Sequence, residues 1–144
     1  MESTIEFYSE EISFEVPEEE KIKQWIDAVI QNHGKKSGDI SFIFCDDEYL
    51  HQINVQYLDH DTLTDIITFD NSDEEDVIEG DIFVSVDRVN ENAKSFETTF
   101  DNELKRVIIH GILHLLGFKD KSDEEAQNMR DKEDESLAIF NKIQ

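Results

Sequence analysis

The sequence predicts an α+β fold: a small domain with a mixed β-sheet and helices, one of the helices central and buried. Three observations predict it. Runs of β-formers alternate with segments of helical period in the order βαβαββααα. The stretch from Leu104 to Leu116 is apolar on nearly every side, as an enclosed helix must be. No internal repeat or linker-like composition divides the 144 residues, so 1–144 reads as one domain with enough chain to build a core.

Each element has its own reason. TIEFYSEEISFEV (4–16) is rich in β-formers with partial alternation and reads as one or two short strands. Pro17 and the acids Glu18 to Glu20 suit a helix start. Ile22, Trp25, Ile26, Val29 and Ile30 then repeat at helical spacing until Asn32 and Gly34 stop them. DISFIFC (39–45) is a strand. Asp46 or Asp47 is placed to cap a helix carrying Leu50, Ile53, Asn54, Tyr57 and Leu58. TDIITF (64–69) and GDIFVSV (80–86) are strands on either side of the charged turn DNSDEED (70–76). Residues 87–96 form a short helix. Thr98 to Asp101 resembles a capping box for the apolar helix. Ser122 with Glu125 forms a second box, ahead of Ala126, Met129, Glu133, Leu137 and Phe140 at helical period.

Composition narrows the function classes. Thirteen Lys+Arg against 36 Asp+Glu give a net charge of −23, which argues against loose affinity for nucleic acid. The imbalance is local, however. Residues 1–87 hold 4 lysines against 24 acids, whereas 88–144 hold 9 basic residues against 12 acids. The lone cysteine, Cys45, cannot make an internal disulfide, which fits a reducing compartment. No basic-then-apolar leader is visible, and no apolar run approaches the roughly 18 residues of a membrane helix. The expectation is a soluble cytoplasmic protein with no membrane partner.

The chemistry concentrates in HGILHLLGFKD, residues 110–120. Four residues of α-helix turn about 400°, so His110 and His114 share a face one turn apart. Gly117 suits the left-handed backbone that ends a helix, and Asp120 can then swing back as a third ligand. Histidine pairs at this spacing also arise in ordinary helices. Here the helix is apolar nearly all round, where an unpaired imidazole is costly, and glycine and aspartate follow in step. The pattern H-x-x-x-H-x-x-G-x-x-D matches the metzincin spacing H-E-x-x-H-x-x-G-x-x-H at four positions, which makes the site layout metzincin-like. Two imidazoles and a carboxylate suit one Zn²⁺ with a fourth position for water. The anionic ligand also admits Mn²⁺ or Mg²⁺. Asp123 and Glu124 are rival third ligands, but they lie past the spacing and inside the Ser122 capping box. Gly111 stands where a zinc peptidase keeps its general-base glutamate, which weighs against a peptidase. Metal-bound water still serves as a nucleophile for hydrolysis.

These residues resemble the YbeY family of bacterial ribosomal-RNA-maturation endoribonucleases. HGILHLLGFKD is similar to the family signature H-G-x-L-H-L-x-G-Y-D-H. INVQYLDHDTLTDIITFD (53–70) resembles its L-N-x-x-Y-R…T-D-V-L-S-F-P segment, and EGDIFVS (79–85) its G-D-I-x-I-S strand. The resemblance implies a mixed sheet flanked by helices with the metal-binding helix at its centre, and a zinc-dependent single-strand endoribonuclease in ribosomal RNA maturation and ribosome quality control. Its partners would be ribosomal RNA and small-subunit components. His110 and His114 match the first two family ligands; the third, histidine in most members, falls on Asp120. The aspartate before it falls on Lys119. The arginine after the tyrosine falls on Leu58, so a phosphate-contacting cation is missing there. Arg106, Lys119 and Lys121 are the candidates to replace it, with Asp65 and Asn54 as further RNA-contacting or supporting residues. The different-class alternative is a non-catalytic ribosome-associated factor whose metal is structural.

Overall fold

A computed structural model describes residues 4–58 and 65–143. Nine elements follow in the expected order: β1 (Thr4–Ser9), α1 (Glu19–Asn32), β2 (Lys36–Cys45), α2 (Asp47–Leu58), β3 (Ile66–Asp70), β4 (Val77–Ser85), α3 (Val86–Ser95), α4 (Phe100–Leu115) and α5 (Asp123–Lys142). His60 and Thr64, the first residue of the expected third strand, lie outside the described residues.

The sheet is mixed, in the order β1-β2-β4-β3. β1 runs parallel to β2, and β2 parallel to β4, whereas β3 pairs antiparallel with β4. Strand alternation decides what covers each face. Ile40, Phe42 and Phe44 of β2, with Ile82 and Val84 of β4, join a core completed by α1, α4 and Phe140 of α5. Cys45 and Ile67 form a smaller cluster with Leu50 of α2, so α2 covers the other face. α4 touches β3, β4, α1, α3 and α5, which is why its sequence is apolar nearly all round. Behind it, the Trp25 indole N–H donates to the Ser136 carbonyl at 2.6 Å. The same indole packs edge-on against Phe140 at 5.3 Å, closing α1 onto α5.

Two local expectations are corrected. Residues 10–16 continue no strand. Glu11 takes a left-handed φ of 60°, and the Ser9 hydroxyl donates across the bend to the Phe14 carbonyl at 2.7 Å. Val16 reaches the core from this irregular segment. The cap of α4 is Thr99, whose side chain accepts from the Asn102 amide; Thr98 sits one residue too early. On α2, Asp46 is the capping residue, accepting from the Tyr49 amide at 2.8 Å. Asp47 instead accepts from the Ser85 hydroxyl at 2.6 Å and from Arg88 at 3.1 Å, tying α2 to α3.

Gly111 is explained by packing. A Cβ there would lie 2.8 Å from Ile66 Cδ1 and 3.1 Å from Ile82 Cγ2. The residue faces the sheet, and its lack of a side chain lets α4 sit down on β3 and β4.

Candidate metal centre

The centre is built where α4 stops. The Gly117 amide bonds to the His114 carbonyl and the Phe118 amide to the Leu113 carbonyl, both at 3.0 Å. This double bond pattern requires the left-handed residue that Gly117 supplies, at φ 105°. The chain reverses, with Phe118 held edge-on to the His33 ring at 5.5 Å. The Ser122–Glu125 capping box then starts α5 with both reciprocal bonds in place. Asp120 is thus carried on a short turn between two firmly terminated helices.

The turn brings three donors together. Asp120 Oδ2 lies 3.2 Å from His110 Nε2 and 3.6 Å from His114 Nε2. The two Nε2 atoms are 3.0 Å apart. His110 and His114 are half-buried, and Asp120 is more open, at 38% side-chain exposure. Among the described residues these three form the one group of His, Cys, Asp and Glu side chains with donor atoms converging as ligands would. Asp123 and Glu124 lie exposed in the first turn of α5, outside the group.

The His110 imidazole is also held from behind. His110 Nδ1 lies 2.6 Å from Oε2 of Glu133, a carboxylate buried at 6% exposure. Glu133 Oε1 accepts from Arg106 at 2.8 Å, and the other terminal nitrogen of Arg106 reaches Asp134 at 2.8 Å. The Phe118 backbone acts on the His114 ring in favour of its protonated form. Burial alone depresses the His110 pKa, but the hydrogen bond and charge of Glu133, with Asp120 and Asp65, outweigh it and leave it raised. For His114 burial dominates and the nearby His110 adds to it, so its pKa is lowered.

The remaining candidates separate clearly. Asp65 is half-buried, and burial raises its pKa against the opposing pull of His110. Its carboxylate accepts from Asn92 at 3.3 Å, and its backbone carbonyl accepts from the Ser85 amide at 3.0 Å. Asp65 is therefore a carboxyl group held in place by α3 and β4, coupled electrostatically to His110 and Asp120. Arg106 commits both terminal nitrogens to the carboxylates of Glu133 and Asp134, and through Glu133 it stands behind His110. Lys119 and Lys121 are exposed on either side of Asp120. Asn54 is buried at 4% exposure on α2. The side chain of Leu58 lies outside the described residues.

Sequence reasoning missed Glu133 as part of the centre, although a signal was present. It occupies a core position in the stripe Met129, Glu133, Leu137, Phe140, and a carboxylate in such a register needs a partner.

The donor set fits a divalent metal. Two imidazole nitrogens on one tetrahedral ion sit about 3.3 Å apart, close to the observed separation. A ligating histidine ordinarily gives its other nitrogen to a carboxylate or backbone carbonyl, as His110 does here with Glu133. The carboxylate makes the set harder than three imidazoles would be.

Sheet, enclosed histidine helix and open donor cluster together define a small α/β protein with a candidate hydrolytic metal centre. Comparison with known proteins gives the family. The Endoribonuclease YbeY family matches residues 4–141, and the chain belongs to it. It is 56% identical over 136 residues to the endoribonuclease YbeY of Christiangramia forsetii, covering 94% of each chain. It is also 56% identical over 133 residues to that of Flavobacterium johnsoniae, covering 92% of this chain and 95% of the relative. The solution structure of TM1509 from Thermotoga maritima superposes with a TM-score of 0.66 at 28% identity, covering 95% of this chain and 89% of that one.

Proposed function

We propose that residues 1–144 form one metal-dependent endoribonuclease domain that hydrolyses single-stranded RNA in ribosomal RNA maturation and ribosome quality control. The observation that carries this reading is the convergence of His110, His114 and Asp120 at the end of α4 in a chain whose relatives are named endoribonuclease YbeY. His110, His114 and Asp120 hold one zinc per chain, with manganese or magnesium as the alternatives that the carboxylate admits. When bound, such an ion lowers the pKa of its water and offsets charge on a phosphoryl group.

The chain's own residues divide the remaining work. The histidines would offer their Nε2 atoms to the ion, and Glu133 holds the outer face of His110. Asp120 leaves the cluster open toward solvent, where a phosphodiester can enter. Gly111 supplies no proton acceptor, and half-buried Asp65, whose pKa is raised by burial and which is coupled to His110 and Asp120, fits a supporting electrostatic role. Exposed Lys119 and Lys121, next to Asp120 in the chain, are the cations we assign to phosphate contacts. On a chain of net charge −23 these few cations and the metal carry the attraction for RNA, so binding weakens as salt rises. We read the ligand spacing as metzincin-like, the location as cytoplasmic, and the partners as ribosomal RNA with small-subunit components. Among the described residues no helix is long and apolar enough to cross a membrane.

Purified protein loaded with a defined metal is expected to cleave a single-stranded RNA internally, and His114→Ala to remove that cleavage. Metal-loaded wild type that binds RNA without cutting it would instead support the non-catalytic ribosome-associated factor.

A further inference from the structure

We infer that Glu133 is a positioning residue for the centre: clamped by Arg106, it fixes the ring plane and the tautomer of His110 so that Nε2 faces the metal before any metal arrives. The inference rests on the reading of His110, His114 and Asp120 as ligands, and it extends that reading to α5, 13 residues beyond Asp120 in the chain.

The geometry carries it. A carboxylate offers only acceptors, so the 2.6 Å contact to Glu133 Oε2 requires Nδ1 of His110 to carry the proton. In the neutral ring that leaves the lone pair on Nε2, the atom that meets Asp120 and His114. Without this contact either nitrogen of His110 is free to be protonated and the ring is free to turn. Glu133 is in turn unable to swing away. Its side chain is 8% exposed, and Arg106 holds the second oxygen at 2.8 Å while anchoring itself on Asp134. The order of the chain, Asp134–Arg106–Glu133–His110, runs from solvent to the centre. The exposed end is Asp134, at 60%. Arg106 and His110 lie one helical turn apart on the same face of α4, so a single residue of α5 can bridge them.

Arg106 therefore belongs to this chain of contacts. Its charge compensates a buried carboxylate that would otherwise be costly to keep beside the core.

Two variants and two readouts test the inference. Glu133→Gln keeps the shape and an acceptor oxygen but loses the charge; Glu133→Ala loses both. Zinc affinity, measured by competition with a chelator, is expected to fall about 10–100-fold in Glu133→Ala and less in Glu133→Gln. In metal-free protein at alkaline pH, ¹⁵N-detected imidazole spectra are expected to show wild-type His110 as the Nδ1–H tautomer and Glu133→Ala as a mixture. Near-UV circular dichroism identifies whichever variant keeps the fold, and Glu133→Gln serves if Glu133→Ala does not. Wild-type zinc affinity in a folded variant, or a His110 tautomer unchanged by both substitutions, overturns the inference. Failure of the underlying ligand reading looks different: wild type then takes up no zinc, manganese or magnesium, which overturns both.

Discussion

The two faces of α4 are made by opposite means. The face toward the sheet is set by contact alone: Gly111 lies where even a methyl group would press on Ile66 and Ile82. The face toward α5 is set by charge: Arg106, His110 and His114 each meet a carboxylate within 3.6 Å. One face has little room for added atoms; the other depends on the charged groups it already holds. That difference explains how a histidine helix can lack the glutamate of the zinc peptidases without being a damaged version of one. Position 111 points into the sheet, and the helix reads as a peptidase helix only when its two faces are not distinguished.

The largest effect is expected on the charged face. His114→Ala removes a donor from the cluster, and both metal uptake and RNA cleavage are expected to drop by about 100-fold or more while the fold is kept. Metal content by elemental analysis, together with cleavage of a labelled single-stranded RNA, checks this. Unchanged metal content would break the comparison, because the charged face would then be serving packing as the sheet face does.

Restoring the peptidase residue tests the sheet face. Gly111→Glu drives a carboxylate against Ile66 and Ile82 and is expected to cost about 3 kcal/mol or more in stability, measured by urea unfolding. It should create no casein hydrolysis. Gly111→Ala is the sharper control. The methyl meets the far end of the Ile66 side chain, and relief of the glycine's helix penalty, about 0.5–1 kcal/mol, offsets the crowding. A stable Gly111→Glu variant would show that α4 has room against the sheet.

The same contrast separates what was legible in the sequence from what was not. The histidine pair, Gly117 and Asp120 stand within eleven residues, and helical period plus one glycine are enough to bring them together. Elements and their order were legible for the same reason, since period 2 and period 3.6 are local properties. Glu133 was not, because its role depends on how α5 lies across α4, and nothing local states that. For Arg106 only a cation near the motif was legible, for the same cause: its two carboxylate partners lie 27 and 28 residues away. Gly111 was read correctly as the absence of a base, but its reason, the close approach of β3 and β4, needed the sheet. Thr98 against Thr99 is a smaller miss, since both residues have the chemistry of a cap and only backbone geometry chooses.

Asp120 is the donor supplied by a turn, and its substitution is expected to have a moderate effect. Asp120→His replaces an anionic ligand with a neutral one and makes the set softer. Zinc affinity relative to manganese is expected to rise about 10-fold, read by competition between the two ions. An unchanged ratio would mean that the carboxylate at the rim contributes charge but no bond, and would confine the centre to the two residues on α4.

The smallest expected effect distinguishes the two histidines themselves, and it is read in metal-free protein. They face each other at 3.0 Å, so they titrate as a pair. Against burial, Glu133 raises the pKa of His110; burial, reinforced by His110, lowers that of His114. A histidine with a raised folded-state pKa contributes stability that is fully present below its unfolded value and is lost as pH climbs through the raised one. A histidine with a lowered pKa contributes stability above its unfolded value, lost as pH falls through the lowered one. The two contributions overlap near pH 6.5, the ordinary value from which both depart, and metal-free stability should fall away on either side. Ring-proton NMR should resolve one step above 6.5 and one below. Glu133→Gln should move the upper step down and bring the two together, because the carboxylate is what separates two imidazoles of one helix face. Two coincident steps in wild type would show that the charge behind His110 does not reach its ring.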